Sequence, residues 1–251
     1  DNVISIAGVD VHVIGMHIPE ASGKPITVQK PPWRHVWIRD NVIGKTNDKA
    51  IEAKGQQGNP RQRGGYGDDL HIVNNVIEEA GREGIEVEQS MNGMNPNRNC
   101  HVTGNVVRSA GVINDAAGIR INRCNDVEIR GNRVLRARGN GYHIRLSRNV
   151  VGDLYAENVG QSGVHLQQVD GFSFDSVEVR NAARSGVAES GNAGGGRIGK
   201  LSVEAAQDGY RTSRRSGPAP VIESYSFSKL SRSGFAGARP KAAHSGTRPA
   251  E

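Results

Sequence analysis

DKAIEAKG, residues 48–55, is rewritten farther along the chain as REGIEVEQ at 82–89, AAGIRINR at 116–123, GNGYHIRL at 139–146 and QSGVHLQQ at 161–168. The apolar letters hold while the polar ones change. A small residue precedes each apolar–x–apolar triplet and serves as an anchor. The anchors are Pro25, Ala50, Gly84, Gly118, Gly141, Gly163, Gly186, Gly209 and Gly234, with steps of 25, 34, 34, 23, 22, 23, 23 and 25 residues. The unit is therefore about 23 residues long, with insertions in two copies, and a period of this size is the mark of a repeat architecture.

Two apolar columns follow from the anchors. One residue past them stand Ile26, Ile51, Ile85, Ile119, Tyr142, Val164, Val187, Tyr210 and Phe235. Three past them the column runs Val28, Ala53, Val87, Ile121, Ile144 and Leu166, then breaks at Glu189. Short runs that alternate with period two, bounded by Gly and Asn, read as strands, and helical periodicity is absent. Two or three such strands cannot bury their apolar sides alone, but stacked copies can. The expected fold is all-β: a right-handed parallel β-helix of about nine coils, its hand taken from the usual parallel crossover. Asn41, Asn75, Asn105 and Asn132 fall at one turn of four consecutive coils, which predicts a structural ladder of hydrogen-bonded amides.

Composition agrees. Gly makes up 33 of 251 residues, nearly twice the usual share of about 7%, and aromatics only 4%, which suits many turns around a thin core. Cys100 and Cys124 make no disulfide framework or metal motif and read as free thiols. No apolar run is long enough to cross a membrane. The opening DNVISIAG already alternates like a post-anchor strand, so the chain is expected to begin in mid-coil, with upstream chain or a partner over that edge. Residues 1–237 read as one solenoid domain and 238–251 as a disordered tail.

Residues two past the anchor point outward. They include Glu52, Glu86, Arg120, His143 and His165, and beside them, four past the anchor, lie Lys54, Glu88, Asn122, Arg145 and Gln167. Both rows lose this character at Ala188 and Ser190. The insertions GQQGNPRQRGGYGDD and SMNGMNPNRN follow the same coils and are expected to wall the rows into a groove, bringing Arg61, Arg63, Tyr66, Asp68 and Asp69. A net charge of +6 favours an anionic partner. Acidic polysaccharide fits better than nucleic acid, because aromatic stacking platforms are lacking: Trp33 and Trp37 share one coil.

Three functions remain open. The first is β-elimination on a uronate-containing glycan, by a polysaccharide lyase. There Asp48, Glu52 and Glu86 would hold Ca²⁺, Arg120 would pair with the substrate carboxylate, and Lys54, His143 or Arg145 would be the base, His143 being the simplest by charge. Glu88, Asn122, His165, Gln167 and Tyr66 would contact the sugar. The second is hydrolysis by the carboxylates of Glu52 and Glu86, and the third is a carbohydrate-binding or structural solenoid without chemistry.

The repeated N-V-I … G-I-x-V units resemble the β-helix repeats of the pectin-lyase-like superfamily over nearly the whole chain, a likeness that implies the fold and a secreted or cell-surface location. HVWIRDNVIGKTNDKAIEAKG (35–55) is similar to the pectate lyase stretch V-W-I-D-H followed by D-G-x-x-D and a lysine. That match implies calcium-associated positions at Asp48 and Glu52 and places Lys54 on the lysine. DAAGIR (115–120) stands where R-x-P-x-x-R lies in that family. Arg120 matches its last arginine, but Asp115 replaces the catalytic arginine and Arg39-Asp40 replace Asp-His, so the family's base does not carry over. GDD at 67–69 is similar to the polygalacturonase double aspartate but precedes the wrong strand.

Overall fold

Strand formers separated by Gly, Asn and Asp every few residues build two parallel sheets that share each coil. The computed structural model describes residues 4–6, 8–29, 33–55, 67–89, 96–191, 195–213, 218–237 and 241–242. All described regular structure is β; there is no described helix, and so none that could span a membrane. The first sheet has ten strands in chain order: Ile4–Ile6, Ile26–Val28, Ile51–Lys54, Ile85–Glu88, Ile119–Asn122, Tyr142–Arg145, Val164–Gln167, Ser185–Ser190, Asp208–Ser213 and Ser233–Ala236. The second sheet has fourteen strands, from Val9–Ile14 to Lys241–Ala242. All pairings are parallel, as stacked coils require. The coil count comes to about eight full turns, slightly below the expected nine. Lys241–Ala242 pairs with Val221–Ile222, so the stretch expected to be a loose tail begins with a short strand; residues 243–251 lie outside the described residues.

The anchor register is the register of the first sheet. Ile26, Ile51, Ile85, Ile119, Tyr142, Val164, Val187, Tyr210 and Phe235 are paired one to the next. The reason for small anchors is the narrowness of the coil. A Cβ on Gly163 would stand 2.3 Å from Val179 Cγ2 and 2.8 Å from the Gly186 carbonyl oxygen. Gly118 meets Val134 and Gly186 meets Val203 in the same way. Valines of the second sheet thus close directly onto the anchors. The break in the column three past the anchor is also explained: Glu189 points inward, buried, and accepts a 2.6 Å hydrogen bond from the Tyr210 hydroxyl of the next coil.

The asparagine ladder is present. The Asn41, Asn75 and Asn105 amides each donate to the Oδ1 of the next asparagine at 2.8–2.9 Å, and the backbone N–H of each donates to that same oxygen at 2.9–3.1 Å. These side chains are fully buried, so they satisfy backbone groups that the turn leaves unpaired. From the coil of Asn132 onward single strands of 11, 12 and 13 residues, Cys124–Val134, Arg148–Val159 and Asp170–Ala182, run through the corner, and Leu154 and Val177 take the place of Asn in the last two. Another bend is made by Asp10, His35, Asp69, Asn99, Asp126 and Asn149, all at φ between 50° and 57°. Most are Asn and Asp, the residue types that tolerate the left-handed region best after Gly.

Candidate functional site

Parallel pairing sets Glu52 beside Glu86, then Arg120, His143 and His165, one per coil. It also sets Lys54 beside Glu88, Asn122, Arg145 and Gln167. The residues expected to form one surface therefore do lie on one side of one sheet. Tyr66, Arg61 and Arg63 lie outside the described residues. Asp68 and Asp69 do not wall this surface: they belong to the strand Gly67–Val73 of the second sheet.

The acidic half differs from the expectation of a wet strip. Glu52 and Glu86 are each only 1% exposed. The Lys49 ammonium lies between them, 2.7 Å from Glu52 Oε1 and in contact with Glu86 Oε2. Lys24 holds Glu52 Oε2 at 2.8 Å, and Arg120 Nη1 lies 3.3 Å from both Glu86 Oε1 and Glu83 Oε1. Burial would raise the Glu52 pKa, but hydrogen bonds from Lys24 and Lys49 outweigh it and lower it to about 2. For Glu86 burial wins, helped by the charges of Glu83 and Glu88, and its pKa is raised despite Lys49. Burial also works against the Lys49 ammonium, yet Glu86 and Glu52 hold its pKa above the ordinary lysine value.

Asp48 Oδ1 accepts the Lys49 backbone N–H at 2.9 Å and lies 3.8 Å from Arg82. Every carboxylate oxygen of Glu52 and Glu86 thus already faces a protein cation, and Ca²⁺ would have to displace Lys49 to enter. The trio Asp48, Glu52 and Glu86 does not fit calcium as arranged. The lysine was missed in the sequence because it lies in the turn before the anchor, outside the strand columns.

The basic half is open to solvent in part. His143 and His165 stack with ring centroids 4.9 Å apart and planes within 6°. His143 Nε2 lies 3.3 Å from Gln167 Oε1, and His165 Nε2 lies 2.9 Å from Ser190 Oγ. Burial, then the neighbouring His165, Arg120 and Arg145, lower the His143 pKa to about 4. It is a neutral imidazole at neutral pH. Burial lowers His165 as well. Arg145 carries a buried Nε without a hydrogen-bond partner among the described residues. Lys54 is in an ion pair with Glu88 at 3.7 Å, and Asn122 donates to Glu88 at 2.8 Å.

A second row, on the outer side of the second sheet, escaped the sequence reading. His12, Trp37, His71, His101 and Glu128 are in register on successive coils. Trp37 stacks on His71 at 3.7 Å, and His71 on His101 at 4.6 Å. Trp37 is therefore the start of an aromatic stack, contrary to the expectation that no such platform exists; Trp33 is buried. A signal was available. The position thirteen before the anchor reads His12, Trp37, His71 and Glu128, and His101 joins after the four-residue insertion that also displaces Asn105. Cys100 and Cys124 are free and buried, and hydrogen bonding of the Cys100 thiol with Cys124, together with burial, pushes its pKa well up.

Comparison with protein families, curated proteins and solved structures gives no match. What can be said of function rests on these residues.

Proposed function

We propose that the chain acts on an acidic, uronate-containing glycan, as a polysaccharide lyase whose working residues are those of the basic half. One observation carries this reading: the neutral imidazole of His143 lies beside Arg120 of the preceding strand, which also holds Glu83 and Glu86, and near Arg145 two residues on in its own strand. β-Elimination needs that combination. Arginine neutralises the uronate carboxylate, which acidifies the neighbouring C–H. The imidazole takes that proton, the C–H electrons form the C=C bond, and the glycosidic C–O bond breaks. The departing oxygen takes a proton from water or from the imidazolium just formed on His143, which returns the base to its neutral state.

With Gln167 Oε1 toward Nε2, the ring proton of His143 sits on Nε2 and Nδ1 is the free acceptor. A histidine with a pKa of about 4 is a weak base for a carbon acid. A bound uronate changes that, because its negative charge favours the imidazolium and raises the pKa toward the working pH. His165 and Gln167 lie on the same surface and would contact the sugar hydroxyls, whereas Asn122, buried and donating to Glu88, is kept from them. Arginine takes the charge-neutralising part that calcium plays in the pectate lyases, which the chain resembles in its repeats. Such polymers place it outside the cell or at its surface.

The hydrolase reading is weaker. A carboxylate pair must touch the sugar, and Glu52 and Glu86 are almost without exposure. The test is incubation with a panel of uronate polymers, with and without chelator. Ultraviolet absorbance of an unsaturated product, unaffected by chelator and lost in His143→Gln and Arg145→Ala, is the expected result. New reducing ends without that absorbance identify a hydrolase. Retention on the polymer with neither identifies a binding module.

A further inference from the structure

The second sheet holds a cluster that the proposed reaction does not use. One ligand atom each from Asp69, His71 and His101 lies within 4.8 Å of the others. The two histidines face each other across paired strands, Gly67–Val73 and Asn97–Thr103, and Asp69 precedes His71 by two residues on the same face. Asp69 Oδ1 is 2.8 Å from His71 Nε2, and its Oδ2 is 2.5 Å from His35 Nδ1. His101 Nδ1 is 2.9 Å from Glu128 Oε2 on the next coil.

We propose that Asp69, His71 and His101 form a binding site for a divalent transition-metal ion of the zinc class, with water in the fourth position and His35 hydrogen-bonded to Asp69 outside it. Three independent features support it. The first is the donor set: imidazole nitrogens with one carboxylate suit zinc and its neighbours, whereas calcium takes oxygen only. The second is the outer support. Glu128 fixes the proton of His101 on Nδ1 and so presents Nε2, the arrangement in which a carboxylate orients a metal-bound histidine. The third is restraint of the other ring: Trp37 lies flat on His71 at 3.7 Å with an interplanar angle of 1°, which limits its rotation.

Tetrahedral zinc with bonds of about 2.0–2.1 Å needs ligand atoms roughly 3.4 Å apart. The atoms now as much as 4.8 Å apart would close by up to about 1.4 Å and the 2.8 Å Asp69–His71 pair would open slightly, both within the reach of side-chain rotation on fixed strands. The ion would join two coils, through Asp69 and His71 on one and His101 on the next. His101 and Glu128 also line a groove of about 340 Å³, so the site adjoins space for a further ligand.

The test uses the whole tag-free chain and needs no activity. Titration with Zn²⁺ against a chromophoric chelator is expected to show one ion per chain. Co²⁺ substitution is expected to give the intense visible absorption of a four-coordinate site. His71→Ala and Asp69→Asn should each abolish both signals. Glu128→Gln should weaken binding by about 10–100-fold, and His17→Ala should change nothing. Circular dichroism checks that each variant is folded, and Asp69→Asn stands in if His71→Ala is not. Absence of stoichiometric binding overturns the proposal, as does binding that survives both ligand variants or that responds to Ca²⁺ alone. Because the site is on the other sheet, loss of metal binding would leave the lyase assay unaffected, and the two readings fail separately.

Discussion

Replacing Asn75 with Ala tests whether the buried amide ladder holds the coils in register. The Asn75 carboxamide accepts from the Asn41 backbone N–H at 3.1 Å and from Asn41 Nδ2 at 2.8 Å. It donates to Ile38 O, Val73 O and Asn105 Oδ1 at 2.9–3.1 Å. On truncation some partners keep a bond: Asn41 Nδ2 retains Val13 O, Asn105 Oδ1 retains the Asn75 N–H, and Val73 O retains the Asp40 N–H. The buried Asn41 N–H loses its acceptor, which costs about 1–3 kcal/mol, and the four other lost hydrogen bonds, three of whose partners keep another bond, add about 1–2 kcal/mol together. The expected loss is about 3–4 kcal/mol. Urea denaturation followed by far-UV circular dichroism and tryptophan fluorescence reads it as a midpoint shift of about 1 M or more. Ser226→Ala, at an exposed hydroxyl bonded only to Ser202, is the control and should cost under about 0.5 kcal/mol. Asn75→Asp should be worse at neutral pH, since a carboxylate oxygen would face three acceptor oxygens. That carboxyl would titrate above its unfolded value, so its cost should shrink as pH falls. If Asn75→Ala matches Ser226→Ala, the ladder is not what fixes this turn.

Lys49→Met should destabilise by about 3 kcal/mol, because two buried carboxylates lose their shared cation while each keeps one other. Adding Glu86→Gln should restore part of this, and no recovery in the double variant would count against a shared cation. Glu52 has its pKa lowered from 4.5 to about 2, so its contribution of roughly 3 kcal/mol is present above about 4.5 and lost as pH falls toward 2. Stability measured from pH 6 to pH 2 should show this acid limb, and Glu52→Gln should flatten it. Gly163→Ala should cost about 1–3 kcal/mol by overpacking against Val179, and Val179→Ala in the same chain should relieve it. Chemical denaturation of the double variant decides this; additive losses would refute the contact. In nuclear magnetic resonance titrations the His143 pKa should rise on addition of a uronate oligomer, and an unchanged value would remove the imidazole as base.

The register was legible because apolar side chains repeat wherever a coil closes, and closure tolerates little at Gly118, Gly141 or Gly163. The Asn41–Asn132 ladder was legible for the same reason. The state of Glu52 and Glu86 was not. An outward position is exposed only if nothing from the turns reaches over it, and Lys24 and Lys49 reach over these two from outside the strand columns. The row from His12 to Glu128 was hidden by measurement from anchors on the other sheet, across a four-residue insertion. Asp69 was assigned to an insertion because Asp, Asp and Gly signal a loop; here the left-handed Asp69 bends a strand and leaves it paired.

Backbone pairing spaces the rows on the first sheet, and no side chain of those rows sets the interval. The surface therefore works like a ruler whose divisions are cut in the main chain and whose markings can be relettered one at a time. Exchange of His165 or Gln167 for another polar residue changes what is presented at one division and leaves the interval to its neighbours as it was. On the proposed glycan reading, a solenoid of this kind can move from one polymer to another by successive single substitutions, without passing through a misaligned state.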